Sequence, residues 1–307
     1  MAIKVPTHIR LLFGIIIIII LVLILDPSKI ISALFSINIF YLIPAVLVYA
    51  LTLFILSYRW QKILLDMGIR IPLIEAYSAF VGGLLISDVT PGRIGELSRP
   101  LLLEKSNQGS KSFLSFILDR SIDLVTIIIL GIFGILFIIP GEKGKFIWAL
   151  SIPVAAILLI IGFWHSHSSL QKIIQFFNLP KLTTIFQDLE DACTSIRFPK
   201  KTVLRSVLLT IIAWCGHTAR LVIIALSLGY TVEALQLLCI LPLVSILSIL
   251  PLTISGLGLV EGSLAVILSD MGIPLYVGLT IALIDRGITV AFHLLVGLPV
   301  IKKNIAL

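Results

Sequence analysis

Charge is what this sequence has least of. Only 13% of its 307 residues are Asp, Glu, Lys or Arg, against roughly 25% in a soluble domain. With 59% hydrophobic residues, the chain has too little polar surface to cover its apolar one, which excludes a water-soluble globule. Alternating strands of about ten residues are also missing, and with them the signature of a membrane β-barrel. The apolar stretches are long and continuous, so the spans are helices.

Other absences narrow the chemistry. There are three cysteines, Cys193, Cys215 and Cys239. They share no metal-ligand spacing and read as reduced packing thiols. No phosphate-cradling P-loop occurs, so no ATP drive is visible, and "GLGLVEG" lacks the spacing of a dinucleotide fingerprint. His165 and His167 give a weak metal signal. No nucleophile–base arrangement can be read, and no cofactor is expected.

The formal net charge is +7, but the basic residues lie in loops beside apolar spans. They set membrane orientation rather than bind nucleic acid. Clear spans fall near 11–27, 37–57, 113–139, 146–163, 203–228 and 275–300. Lys4 and Arg10 precede the first; Arg59, Lys62 and Arg70 follow the second. Lys105 and Lys111 precede the third, a basic group at 172–205 lies between the fourth and fifth, and Lys302 and Lys303 close the chain. All become cytoplasmic if the amino terminus is inside. The expectation is a multi-pass protein of the plasma membrane with both termini cytoplasmic, one transmembrane domain over 1–307. Its stretch 168–198 is read as an amphipathic cytoplasmic loop along the inner surface.

Two further apolar stretches are interrupted. Residues 73–90 run into "SDVTPGRIGELSRP", where Gly92 and Gly95 stand among Asp88, Arg93, Glu96 and Arg99. Residues 234–254 run into "TISGLGLVEGS", with Gly256, Gly258 and Glu261. Under the topology above, the first must enter and leave on the inside and the second on the outside. They are candidate re-entrant hairpins of opposite orientation. After each comes a helix with Asp-Arg inside it: Asp119-Arg120 in "FILDRSIDLV" and Asp285-Arg286 in "ALIDRGITVA". Asp285 follows Asp119 by 166 residues and Glu261 follows Glu96 by 165. Rare charged residues at a common offset point to a duplication. The fold class is therefore all-α: a polytopic helical membrane protein of about six to eight spans, with the two hairpins in inverted repeat. In such transporters, broken helices offer unpaired backbone groups near the midplane.

A charge at the membrane centre costs about 2.5–3.5 kcal/mol on insertion scales, so these residues need a reason. One is internal: Asp-Arg pairs neutralise each other, or edge residues reach out to water. Arg220, mid-span and one turn after His217, then has a structural partner. The other is functional. A guanidinium fork binds two phosphate oxygens at once, and a cavity of Arg and Glu suits an anionic or zwitterionic headgroup. On this reading Arg93, Arg120 and Arg286 contact phosphate, with Arg99, Asp119, Arg220 and Asp285 in the same site. Glu96 and Glu261 balance charge or bind an amine.

"TPGRIGELSRPLLLEK", "SILPLTISGLGLVEGSL" and the two Asp-Arg pairs together resemble the lysylphosphatidylglycerol synthase transmembrane (flippase-like) family, an integral membrane family of bacteria and archaea. The resemblance covers nearly the whole chain. In two-part members the membrane region precedes a soluble aminoacyl-transferase domain and moves the aminoacylated lipid to the outer leaflet. This chain stops at Leu307, so the resemblance implies a transport-like function without aminoacylation, and no enzyme. Other relatives accompany envelope glycosylation with polyprenyl-phosphate sugars. The expected function is a translocase of a phosphate-bearing or polyprenyl-phosphate lipid, with the membrane lipid as its substrate. A separate envelope lipid-modifying or glycosyl-transfer enzyme would be its partner. The alternatives are a non-transporting scaffold and a membrane-embedded lipid-phosphate enzyme.

Overall fold

A computed structural model describes residues 7–103, 109–137, 200–249 and 252–305. The expected span at 146–163, the loop 168–198 and the His165/His167 pair lie outside the described residues. Those described form helices, with no strand among them. The order is α1 (Thr7–Ile24), α2 (Pro27–Phe35), α3 (Leu42–Asp66), α4 (Leu73–Asp88), a 3-10 segment (Ile94–Leu102), α5 (Gly109–Phe137), α6 (Lys200–Ser227), α7 (Ala234–Ile246), α8 (Leu259–Asp270) and α9 (Leu275–Ile305).

Among the described residues, three stretches are long and apolar enough to cross a membrane: Ile39–Asp66, Lys201–Ser227 and Leu275–Lys302. Large apolar side chains stand exposed along α1 and α3 and at Phe35, Leu204 and Leu295. In a chain this apolar they face lipid, and the class is a helical membrane protein. The first expected span, 11–27, is shifted toward the amino terminus, since α1 starts at Thr7. α1 ends at Ile24 and the chain turns by 91° into α2. The cause is local: Pro27 opens the new helix, and the Asp26 carboxylate accepts from the Ser28 N–H at 3.1 Å. Proline at the first position and aspartate at the cap both start helices.

The long helices α3 and α6 pack antiparallel along their whole length. The Asn38 N–H donates to Ser227 O at one end, and the Thr202 hydroxyl to Asp66 at the other. Between them Gly216 of α6 lies flat against Thr52. Lipid tails are as apolar as leucine, so membrane helices associate through such close packing rather than by escaping water.

Two hairpins return to opposite ends of this pair. In the first, α4 and the 3-10 segment lie side by side, and both open ends sit beside the end of α3: Ile69, Ile71 and Leu103 share a buried cluster with Trp60 and Leu64. In the second, α7 and α8 open near the end of α6, where Leu237, Leu268 and Ile273 cluster with Leu221 and Ile224. The tips meet in the middle. Pro91 and Ile254 form an isolated antiparallel bridge, and the Ser255 N–H donates to Thr90 O at 3.3 Å. α5 then pairs with α3 and α7, while α9 pairs with α8 and α4. The order helix–hairpin–helix thus occurs twice in opposite directions, as the inverted repeat required.

Candidate functional site

The tips are built from residues that tolerate unusual backbone. Gly92 (φ 62°), Arg93 (φ 56°), Ser255 (φ 49°), Gly256 (φ 73°) and Gly258 (φ 83°) all lie in the left-handed half of conformational space. A non-glycine residue there is uncommon, and here two occur at facing tips. Gly95 is needed for a different reason: a Cβ would stand 2.4 Å from the Ile86 carbonyl carbon and the Ser87 nitrogen. Only glycine lets the return limb of the first hairpin lie on α4.

A cavity of about 470 Å³ lies where the tips meet. Arg93, Glu96, Arg99, Arg120, Arg220 and Glu261 line it, as do Asp285, Arg286 and Gly92. Asp119 is fully buried behind it. Gly95, Gly256 and Gly258 shape the tips around it.

The ion pairs repeat with the fold. On the first half, Arg59 of α3 binds Asp119 of α5 at 2.8 Å, and Arg120 binds Glu96 of the hairpin at 2.7 Å. On the second, Arg220 of α6 binds Asp285 of α9 at 2.6 Å, and Arg286 lies 3.3 Å from Glu261. Neighbouring Asp and Arg therefore do not neutralise each other. In each half the Asp reaches a long helix and the Arg reaches a hairpin tip. Side chains adjacent on a helix point about 100° apart, so one residue pair ties two partners to one helix.

Arg59 corrects the sequence reading. It was placed with Lys62 and Arg70 in a cytoplasmic loop, but α3 runs unbroken to Asp66 and buries it completely. Its guanidinium donates from Nε to Asp119 and from Nη1 to Asp123 and to the Thr210 hydroxyl at 2.5 Å, while Nη2 lies 2.8 Å from Asp119 Oδ1 without a hydrogen bond. The signal available was the helical pattern continuing past Tyr58 without a breaker. Arg220 has the structural partner anticipated for it, binding Asp285 through Nε at 2.6 Å and Nη2 at 3.0 Å.

Not every donor is filled. Arg220 Nη1, Arg93 Nε and Arg120 Nε are buried without hydrogen-bond partners. The Arg93 head comes no nearer than 3.8 Å to Glu96. Arg286 donates from Nη2 to Ser255 O at 3.0 Å, fixing the second tip. Arg99 lies over the Phe80 ring, 3.7 Å from its centroid, and binds Glu96 at 2.5 Å. The carboxylates are more fully engaged: Glu96 by Arg99 and Arg120, Glu261 by Arg286 and by the Gly258 N–H at 2.6 Å. The unfilled atoms around the cavity are therefore mostly arginine donors, with Asp119 Oδ2 behind the wall an unpartnered acceptor. Among the described residues no His, Cys, Asp and Glu group has the arrangement to hold a metal ion. Sequence reasoning also missed Tyr49, His217 and His293, which line the cavity from α3, α6 and α9. The only hint of the last was a lone histidine about two turns after Asp285 along the same helix.

Two opposed hairpins meeting at a charged cavity, inside a bundle with an apolar exterior, define an integral membrane protein with a central polar site. The chain belongs to the family described as the lysylphosphatidylglycerol synthase TM region, whose model matches residues 11–297. The match is to a membrane region, and no catalytic domain is matched. The chain is similar to a UPF0104 membrane protein of Pyrococcus horikoshii, 22% identical over 97% of each chain. It is also similar to one of Methanocaldococcus jannaschii, 25% identical over 91% of this chain and 90% of that one. A third, from Methanothermobacter thermautotrophicus, is 20% identical over 91% and 89%. No solved structure matches the chain significantly.

Proposed function

We propose that this protein carries a phosphate-bearing lipid headgroup between the leaflets of the plasma membrane, while the lipid tails stay in the bilayer. One observation carries the reading: the cavity between the hairpin tips holds arginine donors left over after every nearby carboxylate is paired. A guanidinium with unfilled donors in a cavity of low dielectric is matched by an anion with several acceptor oxygens. The volume, about 470 Å³, falls within the roughly 300–1,000 Å³ usual for small-molecule sites. Arg93, Arg120, Arg220 and Arg286 contact the phosphate; Glu96 and Glu261 hold the arginines in place when the site is empty. The family's membrane region supports a lipid-linked role.

The hairpins return to opposite ends of the bundle, so each serves as the closure toward one leaflet. Lys62, Arg70, Lys302 and Lys303 still favour cytoplasmic termini by the positive-inside rule after Arg59 is removed from the count. A separate enzyme makes or consumes the lipid. The test is translocation of fluorescent phosphatidylglycerol in vesicles of the purified protein, with neutral diacylglycerol as control. Movement of the phosphate lipid alone is the expected result. No movement of either rejects transport and leaves a scaffold; chemical conversion of the lipid marks an enzyme.

A further inference from the structure

One hydrogen-bonded chain on the cavity wall lies outside the arginine contacts assigned to the phosphate. Tyr49 Oη lies 2.5 Å from His293 Nε2, and His293 Nδ1 lies 2.6 Å from Asp88 Oδ2. The three come from α3, α9 and the end of α4, and all line the cavity. Tyr49 and His293 are buried. The repeat does not require them. By the offsets of the arginine pairs, Tyr49 matches Thr210 and His293 matches Ile127. A polar chain in one half only has a purpose that the symmetric framework does not supply.

The chain can hold a proton without stranding a partner. An ionised Asp88 accepts the Nδ1 hydrogen. Neutral His293 then offers Nε2 as an acceptor, and the Tyr49 hydroxyl donates to it. Once protonated, His293 donates from Nε2 and the Tyr49 oxygen accepts. That frees the Tyr49 hydrogen for an oxygen in the cavity. Protonation therefore adds one positive charge and one donor to the wall in the same step.

The charge balance makes that step matter. Among the described residues the cavity's guanidiniums are those of Arg93, Arg99, Arg120, Arg220 and Arg286. Its carboxylates are those of Asp88, Glu96, Asp123, Glu261 and Asp285. Five of each leave the empty site neutral while His293 is neutral. A phosphodiester entering alone would leave one uncompensated negative charge inside the bundle, which is costly there.

We propose that each anionic headgroup enters this cavity together with one proton, held on His293. This rests on the phosphate reading above. A proton from water bonds to His293 Nε2, the imidazole becomes imidazolium, and the loaded site is again neutral. Release on the far side returns the proton to water as the headgroup leaves. Carriage of the lipid is thereby coupled to the proton gradient.

The surroundings of His293 are defined. α4 presents Asp88, α3 presents Tyr49, and α6 presents Arg220, 4.4 Å over the Tyr49 ring, with the His217 ring tilted against Tyr49 at 6.3 Å. The 3-10 segment contributes Glu96 and Arg99 and α8 contributes Glu261, each already in an ion pair. Arg93 lines the cavity from the first tip. On α9 itself, Asp285 and Arg286 lie about two turns away. α2 packs at the other end of α9, near Tyr276.

The test uses the purified full chain in detergent, weakly buffered with a pH-indicator dye, titrated with short-chain phosphatidylglycerol. Wherever His293 is neutral in the empty site, about one proton should be taken up per lipid bound. Affinity should fall about tenfold per pH unit on the alkaline side. His293→Gln should bind lipid with no proton uptake and a flat pH profile. Should that variant fail to fold, Asp88→Asn decides, because losing the carboxylate must move proton uptake to lower pH. Wild-type binding without proton uptake, uptake retained by His293→Gln, or an unshifted Asp88→Asn profile would each overturn the proposal. Absence of lipid binding at every pH rejects the phosphate reading itself, and the proton coupling with it.

Discussion

The adjacent residues Asp285 and Arg286 offer a sharp test, because sequence and geometry disagree about who pairs with whom. Arg286 lies 3.3 Å from Glu261 and donates to Ser255 O at 3.0 Å, while Asp285 is held by both Arg220 nitrogens. Arg286→Ala leaves Glu261, which is 2% exposed, with a backbone N–H as its remaining partner. Breaking a buried pair by removing one member costs about 3–5 kcal/mol. The Arg286 side chain is 19% exposed, so the lower end applies, roughly 3 kcal/mol or a hundredfold in the folding equilibrium.

The second substitution then discriminates. Adding Glu261→Gln removes the stranded charge and should return most of that loss. Adding Asp285→Ala should do the opposite, since it strands Arg220 as well and costs about another 3 kcal/mol. Against a total stability of about 5–15 kcal/mol, that double variant should scarcely accumulate. The measurement is thermal unfolding in detergent, followed by size-exclusion, for the wild type and all five single and double variants. Rescue of Arg286→Ala by Asp285→Ala, with none by Glu261→Gln, would refute the cross-helix pairing.

Gly95→Ala should unfold the first hairpin or abolish transport, because its Cβ meets α4 backbone at 2.4 Å; unchanged melting and activity would contradict the close approach. In a chain with its cysteines replaced, Arg70→Cys and Glu233→Cys should react with impermeant maleimide from opposite faces of oriented cells, as the antiparallel α3 and α6 require; labelling from one face would reject that. Arg286→Lys should lower phosphatidylglycerol translocation several-fold although the charge is kept, since one ammonium cannot reproduce the fork between Glu261 and Ser255; full activity would exclude a geometric role.

Much of this architecture was legible because its signals are rare in an apolar chain. Gly-Pro breaks beside charge marked both tips, and the matched offsets of Glu96/Glu261 and Asp119/Asp285 marked the repeat. What sequence could not give was pairing. Asp119 and Arg120 are neighbours along the chain, yet a helix turns them toward different elements, and nothing local says that Arg59 is the partner. Arg59 itself was misplaced because a charged residue after a long apolar run usually ends a span. Here Asp119 and Asp123 compensate it, and the helix continues. The bend at Asp26-Pro27 was misread for the opposite reason: the apolar run was given more weight than the cap and the proline. The tyrosine and histidine of the proton chain carried no motif, being single polar residues in apolar helices that only the packing of α3, α4 and α9 brings together.

Arg59 and Arg220 occupy matching places in the two halves, and the structure gives them different work. Arg59 is completely buried, donates to Asp119, Asp123 and Thr210, and keeps its one unpartnered nitrogen, Nη2, away from the cavity lining. Arg220 has one aspartate, an unpartnered Nη1 and a place on the cavity wall. Lysine keeps the charge at either site but not the fork. At position 59 the loss falls on internal bonds. Each hydrogen bond to a charged group is worth about 1.5–3 kcal/mol, so losing two should cost at least about 3 kcal/mol of stability. Lipid affinity in the surviving folded fraction should not change. At position 220 one of two bonds to Asp285 is lost, about 1.5–3 kcal/mol, together with the free donor that faces the ligand. Arg220→Lys should therefore weaken phosphatidylglycerol binding about tenfold or more, since about 1.4 kcal/mol is a factor of ten. Comparing melting temperature with affinity for the two variants separates these outcomes. If Arg59→Lys weakened binding as much as Arg220→Lys at equal folded fraction, the anion site would not lie on the α6 side of the cavity.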